Sequence, residues 1–212
     1  MNQCLGRTTI ANLRIKGFSD ILPTDGDSVI LATRALPVEW KCSLEKGATQ
    51  SQDSFEEQKQ ALSLVRKQMK KYISLKECNV KSVIIVGGPG TGKTTLLQLA
   101  VVLGMAEGLH VGLTAMMAER AKQLGGCHIN QMFCIPVNEK ASVTQLAERA
   151  ILGLLRNPMK YHYLKMLDVL FLDEFGQVAC EYVSVMDLIL RCIRNSNAFM
   201  GGVILITSMD VL

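Results

Sequence analysis

The chain has 212 residues, of which 49% are apolar and 20% charged, and its formal net charge is +4. That length and apolar share are enough to bury a substantial core and exclude a largely disordered chain. The basic excess is too small to argue by itself for an anionic partner.

Seven cysteines (Cys4, Cys42, Cys78, Cys127, Cys134, Cys180 and Cys192) are scattered, odd in number and without a Cys-x-x-Cys pair. They read as reduced core thiols of an intracellular protein rather than as a zinc site or a disulfide frame. No secretory signal opens the chain. The longest apolar run, Leu96 to Met117, is interrupted by Glu107 and His110, so no membrane partner is expected. Residues 1–19 contain no acid and carry Arg7, Arg14 and Lys16 among serine and threonine, which faintly resembles an organelle transit segment.

Residues 1–52 show no sustained period and are expected to form an irregular N-terminal extension. Val29-Ile30-Leu31 is at most one short strand, Trp40 reads as a packing residue, and residues 47–53 have linker composition. A helix is expected from Ser54, where Ser54-x-x-Glu57 has capping-box spacing and Leu62, Val65, Met69 and Ile73 share a face. The opposite face carries Arg66, Lys67, Lys70 and Lys71, a solvated face or a weak nucleic-acid signal.

Next comes the most informative stretch. Val83 to Val86 reads as a buried strand, Gly87-Gly88-Pro89-Gly90-Thr91-Gly92 as a tight loop, and Lys93-Thr94-Thr95 as the start of a helix running to about Gly108. The spacing Gly87-x-x-x-x-Gly92-Lys93-Thr94 is that of a phosphate loop. Glycine lets backbone N–H groups close around an anion, and the helix directs its positive dipole end at the same point. Lys93 is then the ligand of the β- and γ-phosphates, and the Thr94 hydroxyl a ligand of Mg²⁺.

Further on, Val111 to Ala115 reads as a second strand and Met116 to Leu124 as a short helix stopped by Gly125-Gly126. Ser142-x-x-Gln145 caps a helix that Asn157-Pro158 ends. Val169-Leu170-Phe171-Leu172 reads as a strand delivering Asp173 and Glu174 at its C-terminal end. The helix after it is apolar at Val183, Met186, Leu190 and Ile193, and Gly202 to Ser208 forms the last strand. Alternating helices and apolar strands indicate an α/β domain whose mostly parallel sheet is covered on both faces. Ligands of such sheets sit at the C-terminal strand edge, where Gly87, Thr114, Asp173 and Asp210 fall. There Asp173 is placed to hold Mg²⁺, usually through water, and Glu174 to orient the attacking water or accept its proton. ATP with Mg²⁺ is the expected cofactor pair; no Asn-Lys-x-Asp is present to read guanine.

With both motifs placed, the chain resembles the petite-integration-frequency (PIF) helicases, including Helitron helicases, of the RecD-like branch of superfamily 1. The resemblance covers residues 53–212. It rests on Phe55-Glu56-Glu57-Gln58, similar to the family's adenine-reading segment, on the phosphate loop, and on Thr114-Ala115 with Ala121, Gly125-Gly126, Ile129 and Phe133. Asp173-Glu174 and the stretch from Gly201 to Asp210 complete it. The resemblance implies a RecA-like domain over 53–212, with Gln58 reading adenine and Gly87, Gly88, Pro89, Gly90, Thr91, Gly92, Lys93, Thr94 and Thr95 forming the nucleotide site. It implies that Thr114 and Ala115 touch single-stranded or duplex-junction DNA. It further implies ATP-driven 5′-to-3′ unwinding, telomeric, replicative or transposon roles, and an intracellular setting, the nucleus ahead of the mitochondrion.

The chain departs from that family at Met116, Met117 and Ala118, at His128-Ile129-Asn130-Gln131, at Phe175-Gly176-Gln177 and at Met209. Nothing in it corresponds to the second RecA-like domain that supplies an arginine finger and the other jaw of the DNA track. Half a motor is therefore expected to bind nucleotide and hydrolyse it poorly. One alternative is a self-contained ATPase of AAA+ or loader type that borrows Arg191 or Arg194 from a neighbouring copy. The other is a non-catalytic remnant that binds nucleotide or single-stranded DNA.

Overall fold

The computed structural model describes residues 56–75, 82–137 and 140–211. The expected strand at Val29-Ile30-Leu31, the packing role of Trp40, the linker, the Ser54 cap and Phe55 lie outside the described residues, as does the boundary near residue 52.

Five strands form one parallel sheet: β1 (Val83–Gly87), β2 (Val111–Ala115), β3 (Cys127–His128), β4 (Val169–Asp173) and β5 (Ile204–Asp210), in the order β1-β5-β4-β2-β3. The connections carry α1 (Glu56–Leu75) ahead of β1, α2 (Lys93–Ala106), α3 (Ala118–Gln123), α4 (Ile129–Phe133), α5 (Val143–Leu155), α6 (Pro158–Met166) and α7 (Cys180–Arg194). This is the expected α/β architecture, and the run of parallel strands with helical crossovers is the reason the strands read as continuous apolar stretches.

Alternation along the strands sorts the core into two halves. Val169 and Phe171 of β4 with Ile204 and Ile206 of β5 meet α1 and α2 on one face, while Leu170, Leu172 and Leu205 meet α4, α5, α6 and α7 on the other. α2 is buried at every position from Leu96 to Gly104, because α1 closes over the side that the sheet does not reach. Among the described residues, cover on both faces holds for β4 and β5 and fails at β1. There Val83 and Ile85 point into the core, but Ile84 and Val86 are 51% and 52% exposed, on the side that α4 to α7 cover elsewhere.

Helix α1 buries Leu62, Val65 and Met69, but Ile73 is exposed at its far end. Arg66 does not belong to the solvated face assigned to it: it is buried, and its Nε lies 3.0 Å from Glu107 Oε1. Lys67, Lys70 and Lys71 remain exposed. Both polar residues that interrupt the apolar run are thus partnered, since His110 donates its backbone N–H to Asp168 Oδ2 at 2.9 Å and its ring meets the same oxygen. Among the described residues no helix is long and apolar enough to cross a membrane.

The capping box on α5 forms in both directions: Ser142 Oγ accepts from Gln145 N at 3.3 Å, and Ser142 N donates to Gln145 Oε1 at 3.1 Å. Asn157-Pro158 ends α5 and also starts α6, with Asn157 accepting from Lys160 N and Pro158 at the first helical position, where its missing N–H costs nothing. The last strand starts later than expected, because Gly201 and Gly202 belong to a 3-10 turn, Phe199–Gly202, in which both have positive φ.

Of the described cysteines, Cys127, Cys134, Cys180 and Cys192 are free thiols. Burial raises the Cys127 thiol pKa above its ordinary value, which keeps it protonated and unreactive near neutral pH.

Gly126 marks a close approach. A Cβ built there would fall well inside contact distance of the Leu113 carbonyl oxygen and 3.2 Å from Leu113 Cβ. The obstacle is backbone of β2, which cannot turn aside as a side chain can. Gly126→Ala is expected to destabilise the domain by about 2 kcal/mol or more, read as a lowered urea midpoint with an unchanged slope. An unchanged midpoint would show that β3 moves off β2 without cost.

Candidate nucleotide site

Four strand ends meet at one edge of the sheet. Register places Gly87 beside Asp210 and Ala115 beside Asp173, and the Val211 N–H donates to Gly87 O at 3.3 Å. The cleft above them has a volume of about 520 Å³ and is lined by the phosphate loop, Asp173, Glu174, Gly176 and Gln177, the end of β5, and Arg120.

The loop from Gly87 to Gly92 is held by its own polar groups. Thr91 Oγ1 donates to Gly88 O at 2.8 Å, and Gln58 Nε2, reaching from the first turn of α1, donates to Thr91 O at 2.7 Å. Gly92 needs to be glycine for its backbone: its φ is +81°, and the atom a Cβ would crowd, Gln58 Nε2 at 2.9 Å, is the end of a flexible side chain that can move aside. Pro89 and Gly90 stand out at the cleft mouth, Thr94 and Thr95 are partly covered, and Lys93 is folded down. Lys93 Nζ donates to Gly88 O at 2.5 Å and lies 2.5 Å from Asp210 Oδ1. The ammonium group thus sits inside the loop, where a phosphate oxygen would meet it.

Asp173 is almost fully buried at the end of β4. Ser208 Oγ donates to its Oδ1, while its Oδ2 accepts from Arg120 Nε at 2.9 Å. Glu174 turns the chain out of the strand with φ +55°. Its Oε2 is buried with no hydrogen-bond partner, a costly state for a carboxylate oxygen that a bound water or ligand group relieves. Sequence reasoning passed over Arg120 and Ser208. A guanidinium in the first turn of the helix that follows β2, on the ligand-bearing edge, was the available signal for Arg120. Ser208 had none beyond its place near the end of β5.

A family model described as "AAA domain" matches residues 63–198, well over half of the chain. The chain belongs to this AAA domain family. Its fold is similar to the Pif1 helicase of Candida albicans, with a TM-score of 0.59 and 22% identity over 73% of this chain and 32% of that one. A Bacteroides Pif1 helicase in complex with ADP-AlF3 and ssDNA is similar with a TM-score of 0.50 and 24% identity, over 68% of this chain and 32% of that one. A structure described as two coordinating Pif1 helicases unwinding forked dsDNA matches with a TM-score of 0.50 and 22% identity, over 68% and 33% of the two chains. The chain therefore spans about a third of the length of these solved structures, and at such identities the likeness is one of fold. It is the RecA-like P-loop fold expected from the sequence. No curated protein matches.

The residues of this AAA domain fit a nucleoside triphosphate with a divalent cation. A glycine loop at a helix N-terminus, an ammonium within it, a hydroxyl and carboxylate facing across the cleft, and an unpartnered carboxylate oxygen supply the donor set. Gln58 is brought to the loop itself. Its amide is engaged with Thr91 O.

The two residues expected to touch DNA are placed differently. Thr114 and Ala115 are fully buried, and the Thr114 hydroxyl donates to Cys127 O at 2.7 Å, tying β2 to β3. Their side chains cannot touch a strand of DNA in this conformation; the adjoining segment presents Met117, which is 48% exposed. Arg194 also differs from its expected role as a donor in trans. Its Nε donates to Gly201 O, and its Nη1 donates to Lys165 O and Leu167 O, so it closes the end of α7 from within. Arg191 pairs with Asp187 one turn earlier.

Proposed function

We propose that this AAA domain is the ATP-binding motor domain of a Pif1-type, ATP-dependent 5′-to-3′ DNA helicase. The observation that carries the reading is the convergence of Lys93, Thr94, Asp173, Glu174 and Asp210 on one cleft at the C-terminal edge of a parallel sheet. In this reading Lys93 leaves Gly88 O and Asp210 for the β- and γ-phosphates, and Gln58 contacts the base. Thr94 and Asp173 hold Mg²⁺, whose charge offsets that of the phosphate oxygens when bound. Glu174, with its free Oε2, orients water for attack and takes its proton.

Single-stranded or junction DNA is the proposed partner, supported by the fold shared with one Pif1 helicase solved in complex with ssDNA and with others described as unwinding forked dsDNA. A second RecA-like domain, supplying the arginine finger, is proposed on the same ground, since the chain spans about a third of those structures. Intracellular action on nuclear or mitochondrial DNA, in repair, recombination or telomere maintenance, belongs to the same reading.

The test is equilibrium binding of a fluorescent ADP analogue by the chain and by Lys93→Ala. Tight binding that falls about ten- to a hundredfold in the variant is expected, the loss of one charge-assisted contact to phosphate. Equal binding by the two proteins, or none by either, overturns the reading.

A further inference from the structure

Arg120 places a cation where the nucleotide reading puts a metal. Its Nη2 donates to Thr94 Oγ1, its Nε donates to Asp173 Oδ2 at 2.9 Å, and the same Nε lies 3.8 Å from Glu174 Oε1. Thr94 and Asp173 are the two side chains assigned to Mg²⁺. The remaining Asp173 oxygen, Oδ1, is engaged by Ser208. A second Arg120 nitrogen, Nη1, leans on Gln123 Oε1 at 3.5 Å, bracing the side chain from its own helix. The arginine side chain is 29% exposed and Asp173 only 3%, so the ion pair sits at the inner wall of the cleft with solvent on one side.

Two facts of cation chemistry make this an exclusive arrangement. Mg²⁺ needs oxygen ligands at about 2.0–2.1 Å in a near-octahedral shell, and a hydroxyl or carboxylate oxygen that accepts from a guanidinium does not present the same lone pair to a metal or to a metal-bound water. A fixed positive charge and a divalent ion within a few ångströms of each other also repel strongly in a part-buried site.

We propose that Arg120 is the resident counter-ion of the metal position, competing with Mg²⁺ for Thr94 and Asp173 and leaving when a metal–nucleotide complex binds. The one charge of Arg120 thereby offsets that of Asp173 in the nucleotide-free site without metal, and divalent cations enter with the nucleotide rather than ahead of it. The inference rests on the nucleotide reading for the identity of the metal position, and on the geometry of the three side chains for the competition.

Mn²⁺ serves as the probe, with the free ion counted by electron paramagnetic resonance in titrations of the full chain, Arg120→Met and Arg120→Lys, each with and without ADP. Arg120→Met removes the charge at similar volume and is expected to bind Mn²⁺ at least about tenfold tighter without ADP. Arg120→Lys is the second variant, because a point charge on a shorter stem cannot bridge both oxygens as the planar fork does. It too is expected to bind Mn²⁺ tighter than the natural chain, and it decides the matter alone if Arg120→Met does not fold. Unchanged or weaker Mn²⁺ binding in a folded variant overturns the competition. The ADP arm separates the two readings: no ADP binding with tightened Mn²⁺ binding removes the nucleotide reading and leaves the competition standing, and retained ADP binding with unchanged Mn²⁺ affinity does the reverse.

Discussion

Glu174→Gln is expected to lower ATP turnover by about 10²–10⁴-fold while nucleotide affinity stays within a factor of about three. The amide preserves shape and volume at a position where the backbone is held in a left-handed turn, so the corner between β4 and the 3-10 turn Phe175–Gln177 is retained. It removes the capacity to accept a proton. Binding depends on Lys93, the loop and Thr94, none of which touches Glu174, while the chemical step in the proposed mechanism depends on it. Single-turnover hydrolysis with protein in excess is the measurement, because it reads the chemical step apart from product release. Equal single-turnover rates for the two proteins would remove Glu174 from the mechanism.

Phe171→Ala is expected to cost about 3–5 kcal/mol, a large part of the 5–15 kcal/mol that stabilises a typical domain. Phe171 is fully buried at the middle of β4, on the face that meets α1 and α2. The strand runs between β2 and β5 with neighbours on both sides, so the hole left by the ring cannot close by local movement. Asp173 lies two residues on and faces the same way, so the loosening reaches the site as well. Chemical denaturation gives the first effect, and weaker nucleotide binding below the midpoint gives the second. A loss under about 1 kcal/mol would mean that the core collapses around the gap.

Much of this arrangement is legible in the sequence. The strand from Val111 to Ala115, the Ser142 capping box and the phosphate loop all depend on local chemistry, whether apolar run, cap pair or glycine spacing, and appear where expected. What escapes sequence reading depends on partners distant in the chain. Arg66 looks like one of four basic residues on a wet face until Glu107, on the far end of another helix, is placed beside it. Pro158 reads as a stop, and only the Asn157 cap makes it a start. β3 and α4 are too short to carry a period. Thr114 and Ala115 are assigned to DNA only by a resemblance, and their burial follows from sheet packing that no local pattern records. Arg120 is the largest omission at the site, because a charge in a short helix announces nothing about the carboxylate 53 positions later that it meets.

The lateral position of β1 has a mechanical consequence. Among the described residues β1 is laddered on one side only, to β5, and one of its faces is bare, whereas β4 is laddered on both sides and wholly buried. Free energies of local opening follow such differences, so backbone amides should be better shielded from exchange at the carboxylate-bearing strand than at the strand carrying the phosphate loop. The two halves of the site are therefore mounted on supports of unequal stiffness. The acidic pair is expected to act as a fixed anvil, and the glycine loop as the compliant member of the site.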